Sequence, residues 1–168
     1  MKIEIIEKEL GYVLEIEEKI KMFKMPSAMK ANFKELYEYV TEKGCECENP
    51  PYARYVNINW EEEMTKSKLR VMFEIFTRNW HFMAGVPVPE DLKGQGRMKE
   101  NVLPMRKYVT GIHKGPYHKV GHSYQKLGEW ISKESISVGN ESIEIYLNDP
   151  RVVSKENLET MLLIPVAD

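Results

Sequence analysis

Apolar residues fall at helical spacing in two stretches, one in each half of the chain. The first stripe is Met29, Phe33, Leu36, Tyr37 and Val40, and the second is Val120, Tyr124, Leu127, Trp130 and Ile131. Residues three and four positions apart share one face of an α-helix, so each stripe is a surface that must be buried. Pro26 precedes the first stripe and Gly44 follows it, as helix boundaries often require. We predict helices at about 29–43 and 117–133.

The other apolar segments predict strands, because they alternate with polar residues or form short apolar runs. The predicted strands are 2–7, 12–20, 52–59 and 69–76 in the first half, and the segment at Tyr108-Val109, 142–147 and 161–166 in the second. Each half therefore has the order strand, helix, strand, strand. Residues 85–104, rich in glycine, proline and charge, show no regular pattern.

The second half resembles a copy of the first, shifted by 91 residues without a gap. In this register the two helical stripes stand opposite each other, and Tyr55 stands opposite Tyr146. Two copies are fewer than the three that a stacked repeat array needs. We therefore predict one α+β domain over 1–168, with a site where the two repeats meet. Its parts are repeat one at about 1–80, a connection at about 81–104 and repeat two at about 105–168.

The composition is that of an ordinary soluble globular protein, with 42% hydrophobic and 30% charged residues. Nine Tyr, five Phe, three Trp and ten Met can fill a core or line a cleft for apolar ligands. The net charge of −2 and the pI near 6.1 argue against direct DNA binding. Neither a membrane-spanning apolar run nor a signal peptide is apparent, so we expect a cytoplasmic protein without membrane contact.

Cysteine and histidine spacings do not indicate a metal or redox site. Cys45 and Cys47 are one residue apart, which suits neither a disulfide nor a zinc site. His118 and His122 have the spacing of helical zinc ligands, but the glutamate of the metalloprotease motif is missing between them. We predict free thiols, surface histidines, no metal and no cofactor.

Several short motifs in the second half occur in a distinctive order. They are Gly115-Pro116-Tyr117, Leu127 with Trp130, Glu144 with Tyr146 and Asn148-Asp149-Pro150, and the closing run at 162–166. In this arrangement the chain strongly resembles the GyrI-like small-molecule-binding domains, most specifically over 105–166. Such domains form the effector-binding part of AraC-type and MerR-type transcription regulators and also occur alone. The chain shows no helix-turn-helix segment, so we expect the stand-alone form.

The resemblance implies two strand–helix–strand–strand units related by a pseudo-twofold axis, whose sheets join into a concave surface backed by helices. It implies that cationic, aromatic or lipophilic ligands lie in the groove between the halves, near a buried glutamate. Some members of the family hydrolyse cyclopropane-bearing natural products, and one modulates DNA gyrase.

The strand at 142–147 carries the candidate polar group of this groove. Ile143, Ile145 and Leu147 share one of its faces, and Glu144, Tyr146 and Asn148 share the other. We expect the isoleucine face to pack on the helix and Glu144 to point away from it; in the first repeat, Ala53 takes the place of Glu144. The same alternation also fits a solvent-facing glutamate. The predicted ligand-binding residues are Glu144, Tyr146, Tyr55, Trp60, Trp130 and Asn57, with a core position as the alternative for Trp130.

A carboxylate in an aromatic groove has two possible functions. As an anion it pairs with a cationic ligand whose body stacks on the aromatic side chains. With a pKa raised by desolvation it acts as a general acid or base, in which case Glu144 and Tyr146 are catalytic. The first hypothesis is a protein that senses or sequesters a small molecule. The alternatives are a hydrolase of cyclopropane-containing compounds and a gyrase-modulating interaction protein.

Overall fold

The computed structural model describes residues 1–47, 49–67, 74 and 76–167. Its strands are β1 (Ile3–Lys8), β2 (Gly11–Lys21), β3 (Tyr52–Val56), β4 (Asn79–Pro87), β5 (Met98–Leu103), β6 (Arg106–Lys114), β7 (Glu141–Tyr146) and β8 (Glu159–Pro165). The complete helices within the described residues are α1 (Met25–Glu42), α2 (Trp60–Thr65) and α3 (Val120–Lys133). In this part of the chain, no helix combines the length and apolarity needed to cross a membrane.

All eight strands belong to one antiparallel sheet, which curls into a half-barrel with the order β1-β6-β8-β7-β3-β4-β2-β5. The α+β class and both long helices are confirmed. Helix α1 begins at Met25, before the predicted start at 29, and follows a 3₁₀ turn at Met22–Lys24. Helix α3 begins at Val120, after the predicted start at 117, because Tyr117–Lys119 form a 3₁₀ turn.

The two central strands of the sheet, β7 and β3, have three further strands on either side. In the β3–β7 pairing, Ala53 lies directly opposite Glu144, and Tyr52 and Arg54 flank it opposite Ile145 and Ile143. Ala53 and Glu144 are also the residues that stand opposite each other in the 91-residue register. The single carboxylate of the pair therefore lies at the seam of the two halves.

The outer strands are exchanged between the halves. The strand β1 pairs with β6 of the second half, and β5 pairs with β2 of the first. Each half is therefore completed by a strand that lies far away in the sequence. The predicted turn between β1 and β2, at Gly11 (φ 70°), joins two strands that lie at different places in the sheet.

The gap-free register does not extend to the last strand of each half. Ala53 pairs with Ala84, whereas its equivalent Glu144 pairs with Leu162, a separation of 78 rather than 91 positions. The first half therefore holds 13 additional residues between β3 and β4, among them α2. Most of the predicted strand 69–76 lies outside the described residues; at the two described positions, Glu74 and Phe76, the chain is helical and the strand prediction is wrong.

The expectation that residues 85–104 lack regular structure is wrong in part, because β4 continues to Pro87 and β5 spans Met98–Leu103. Alternation in β4 is obscured since its last five residues are all small or apolar and both faces are buried near its end.

The two helices cover one face of the sheet. Under α1, Leu36 and Val40 pack on Ala53 and Phe82. Under α3, Leu127 and Ile131 pack with Val109, Leu162 and Ile164. Cross-strand neighbours point to the same side, so Ala53, Glu144 and Leu162 all lie on this helix face. The prediction that Glu144 points away from the helices is therefore wrong.

The opposite face is buried by the curled sheet itself. It holds Ile143, Ile145, Tyr52, Tyr108 and Leu163, and Leu10 and Leu103 pack over them. Burial of this face explains why the orientation of Glu144 was predicted incorrectly. Ile143 and Ile145 are buried without a helix over them, so their hydrophobicity did not show which face of β7 the helices cover.

A buried ion network joins the halves across this opposite face. The guanidinium of Arg54 donates from Nη2 to Glu15 Oε2 at 2.7 Å and from Nε to Oε1 at 2.9 Å. Its Nη1 also lies 3.4 Å from Glu141 Oε2, and Arg106 binds the other oxygen of Glu141 at 2.7 Å. Breaking a buried pair by removing one partner costs about 3–5 kcal/mol. This network therefore fixes β3 against β7 and, with them, the position of Glu144.

Candidate ligand-binding site

Glu144 is an acidic side chain enclosed on the helix face where the two central strands pair. It is 7% exposed, and its cross-strand neighbours are Ala53 and Leu162. Because Ala53 stands opposite Glu144, only one of these two facing positions carries a carboxylate. Burial raises the pKa of Glu144 from 4.5 to about 7, against the opposing effect of hydrogen bonds from Tyr124, Tyr146 and Tyr55.

Three tyrosine hydroxyls surround this carboxyl group. Tyr146 donates to Glu144 Oε2 at 3.2 Å, and Tyr55 and Tyr124 also lower the pKa of Glu144 by hydrogen bonding. Burial, together with nearby negative charge, raises the pKa of all three tyrosines well above the ordinary value. They remain protonated donors, so the cluster offers hydroxyl groups but no positive charge.

No cationic side chain among the described residues neutralises Glu144. Within the described ranges, no Lys, Arg or His forms an ion pair with it, whereas most other buried or half-buried acids on the sheet have one. An ionised carboxylate in such surroundings is costly unless a cation joins it. The site is therefore suited to bind a positively charged group. Alternatively, the carboxyl group can gain and lose a proton near neutral pH.

Apolar side chains from both halves form the walls. From α1, the ring of Phe33 meets Tyr146 edge-on at 5.9 Å, and the sulfur atoms of Met29 and Met25 lie 3.7 Å from the hydroxyls of Tyr146 and Tyr55. From the turn before α3, Tyr117 meets Tyr146 at 5.3 Å and is 38% exposed. Tyr117 therefore marks the side on which the cluster approaches solvent.

Trp60 closes another side of the cluster. Its ring stacks on Tyr124 with 5.6 Å between centroids and packs against the apolar residues beneath both long helices. It is the first residue of α2, and Asn59 caps that helix by accepting a hydrogen bond from the Glu62 amide at 3.2 Å. The cap holds the indole in place over the seam.

The structure thus brings together Glu144, Tyr146, Tyr55 and Trp60 of the predicted site. Asn57 lies outside it: β3 ends at Val56, and Asn57 is exposed, has φ 60° and bonds His81 at 3.3 Å. Trp130 is a half-buried member of the core under α3. The contacts of Trp130 are those of a core residue, which was the alternative to a ligand-binding role.

Tyr124 lies beside Glu144 but was not among the predicted ligand-binding residues. It lies in the apolar stripe of α3, where a large side chain is expected to pack. A tyrosine in a buried stripe needs a partner for its hydroxyl, and this requirement was the available signal. In the structure the hydroxyl donates to Ser142 Oγ at 3.2 Å, next to Glu144.

The other candidates have ordinary structural places. Cys45 and Cys47 are free and partly buried. His122 is exposed on α3. His113 is buried, with Nδ1 2.9 Å from Ser123 Oγ. In the part of the chain that is described, no group of three or more His, Cys, Asp or Glu is arranged to hold a metal.

Comparison with known proteins gives a family match over more than half of the chain. The model of the GyrI-like small molecule binding domain matches residues 76–167. A search of the curated proteins found no match.

Solved structures with the same fold cover nearly the whole chain. The EcmrR chain in a complex with DNA has a TM-score of 0.72 and 19% identity, with 99% of this chain and 58% of that chain covered. This chain thus spans little more than half of EcmrR. A hydrolase from Listeria innocua has a TM-score of 0.65 and 16% identity, with 99% and 92% covered. The protein SAV2435, bound to tetraphenylphosphonium, has a TM-score of 0.57 and 11% identity, with 98% and 94% covered.

Proposed function

The chain belongs to the family of GyrI-like small-molecule-binding domains, and we propose that it binds an aromatic or lipophilic cation at Glu144, as a sensor or a sequestering protein. The carrying observation is the buried carboxyl group of Glu144, which lies among hydroxyls and aromatic rings without a cationic partner in the described residues. A ligand cation supplies the missing charge.

The aromatic side chains suit a flat or bulky hydrophobic cation. A cation over an aromatic face gains about 0.5–2 kcal/mol per contact. Met25 and Met29 add adaptable walls from α1, since the unbranched thioether fits irregular shapes. Because Glu144 is 7% exposed, a ligand reaches it by displacing wall residues, of which the half-exposed Tyr117 is the nearest to solvent.

Tetraphenylphosphonium is a suitable first probe, because SAV2435 shares the fold and binds it. We expect it to raise the melting temperature of the full chain at pH 8. Ligand at 100 times its dissociation constant adds about 2.7 kcal/mol of stability, which corresponds to a shift of roughly 5–10 °C for a chain of this size. Thermal unfolding with and without the probe is the measurement.

The matched control is triphenylphosphine oxide, a neutral compound with similar rings. It should give a much smaller shift at the same concentration, since it has no charge for Glu144. The absence of a shift with millimolar phosphonium would contradict the proposed cation site.

Hydrolysis is the second candidate, because a pKa of about 7 suits Glu144 to general base catalysis near neutrality. In the ring opening of an activated cyclopropane, Glu144 would accept a proton from water while the water oxygen attacks a ring carbon. The ring C–C bond breaks, its electron pair moves to the activating carbonyl, and the Tyr146 hydroxyl, 3.2 Å from Glu144, supplies a proton there. The tyrosine recovers its proton from Glu144.

This candidate predicts turnover of a cyclopropane conjugated to a carbonyl group. Glu144→Gln removes the base and should lower the rate about 10²–10⁴-fold. Tyr146→Phe keeps the ring and removes only the proton donor, so a smaller loss is expected. Product formation followed by chromatography is the readout. Turnover that persists in Glu144→Gln would exclude this mechanism, and tight binding without turnover would leave the sensor as the function.

A further inference from the structure

The indole N–H of Trp60 is a buried hydrogen-bond donor. Among the described residues, no acceptor lies within hydrogen-bond distance of its Nε1 atom. The N–H of a buried tryptophan usually has a partner, and an unpaired buried donor weakens folding. Such an atom calls for a specific explanation, and a functional site is one of them.

The position of Trp60 connects this donor to the Glu144 site. Its ring stacks on Tyr124 at 5.6 Å, and Tyr124 hydrogen-bonds in turn towards Glu144. Trp60 also packs against the apolar clusters beneath both α1 and α3, so it lies across the seam where Glu144 is located. A ligand that lies against Tyr124 on this side of the cluster would contact this indole.

The three tyrosine hydroxyls around Glu144 have partners. The Tyr146 hydroxyl donates to Glu144, the Tyr124 hydroxyl donates to Ser142, and the Tyr55 hydroxyl is 3.7 Å from the sulfur of Met25. Trp60 Nε1 therefore has its hydrogen-bonding capacity free for a ligand atom. From this arrangement we infer that Trp60 is a specificity-determining residue, and that the ligand carries a neutral hydrogen-bond acceptor, such as a carbonyl oxygen, on its cationic aromatic body.

The acceptor must be neutral, because Glu144 lies in the same enclosed site. A carboxylate or phosphate on the ligand would meet like charge in surroundings of low polarity, where repulsion is strong. A carbonyl oxygen accepts the indole proton without a net charge. The inference rests on the proposed function, since it requires a ligand at Glu144.

Two phosphonium probes of the same shape and charge test it. One is (4-acetylphenyl)triphenylphosphonium, and the other is (4-isopropenylphenyl)triphenylphosphonium, in which a methylene group replaces the carbonyl oxygen. Isothermal titration of the wild-type chain should show about threefold to tenfold tighter binding of the acetyl compound, the value of one hydrogen bond. Failure of both probes to bind would overturn the proposed cation site. Equal binding of both would overturn only the role of Trp60.

Two variants identify the donor. Trp60→Phe keeps an aromatic ring but removes the N–H, so it should bind the two probes equally. Trp80→Phe is the matched control, because Trp80 Nε1 is also buried without an acceptor among the described residues, but its ring packs on Arg78 and Tyr55. This control should keep the preference for the acetyl probe. Loss of the preference in Trp80→Phe, or its persistence in Trp60→Phe, would overturn the inference.

Discussion

Replacing Glu144 with glutamine should stabilise the ligand-free protein at pH 8 by about 3 kcal/mol. The reason is that the pKa of Glu144 is 4.5 in the unfolded chain and about 7 in the folded one, and each unit corresponds to about 1.4 kcal/mol. Below pH 4.5 the side chain is protonated in both states, and its ionisation has no effect on stability. As the pH rises from 4.5 to 7, the unfolded state loses its proton first and becomes relatively more stable. Above about pH 7 the full cost remains.

Glutamine is neutral at every pH, so the variant avoids this cost. We expect its melting temperature to exceed that of the wild type by roughly 6–12 °C at pH 8, with the difference disappearing near pH 4.5. Thermal unfolding of both proteins across this range is the measurement. Glu129→Gln, on the exposed side of α3, is the control, and it should change stability by less than about 0.5 kcal/mol at any pH. A pH-independent difference for Glu144→Gln would mean that Glu144 ionises normally.

The same substitution should weaken binding of tetraphenylphosphonium about ten- to hundredfold at pH 8. A hydrogen bond or contact to a charged group contributes about 1.5–3 kcal/mol, and the cation loses its counter-charge in the variant. Triphenylphosphine oxide, which has no positive charge for Glu144, should lose far less. Isothermal titration with both compounds gives the two ratios, and equal small losses would show that Glu144 is not the cation anchor.

The affinity of the wild type for the cation should depend on pH in the opposite direction to its stability. Only the ionised form of Glu144 attracts the cation, so the affinity should decrease about tenfold per unit as the pH falls below 7. Binding near pH 7 should release a proton, because the cation lowers the pKa of the carboxyl group. The Glu144→Gln variant should show neither effect. These two properties together distinguish an ionising anchor from a wall residue.

The sequence pattern predicts the helices well because each has one buried face. Apolar residues spaced like those of α3 share one face only in a helix. The helix can therefore be predicted without knowing which surface it packs against. The strands were harder to predict from the sequence. Six of the eight strands overlap predicted segments, but β4 runs into the stretch 85–104, rich in glycine, proline and charge, and β5 lies within it.

Glu144, Tyr146, Tyr55 and Trp60 of the predicted site lie together in the structure, but Glu144 is on the other face of β7 from the one predicted. Alternation separates Glu144 from Ile143 and Ile145, yet all three are buried, so the pattern does not show which side carries the helices. Asn57 was misplaced because the chain turns at φ 60° directly after β3, where alternation no longer applies. Tyr124 was missed because a tyrosine in an apolar stripe looks like a core residue until the polar neighbours of its hydroxyl are known.

The exchange of β1 and β5 between the halves sets an order of events during synthesis on the ribosome. The partner of Ile3 is Gly111, about one hundred residues later in the chain. At a translation rate of about 5–20 residues per second, β1 waits roughly 5–20 seconds for its partner strand to be made. The unpaired backbone groups of such a strand can pair with strands of other chains and lead to aggregation. The sequence of β1, with charged residues at Glu4, Glu7 and Lys8, limits that risk until β6 has emerged.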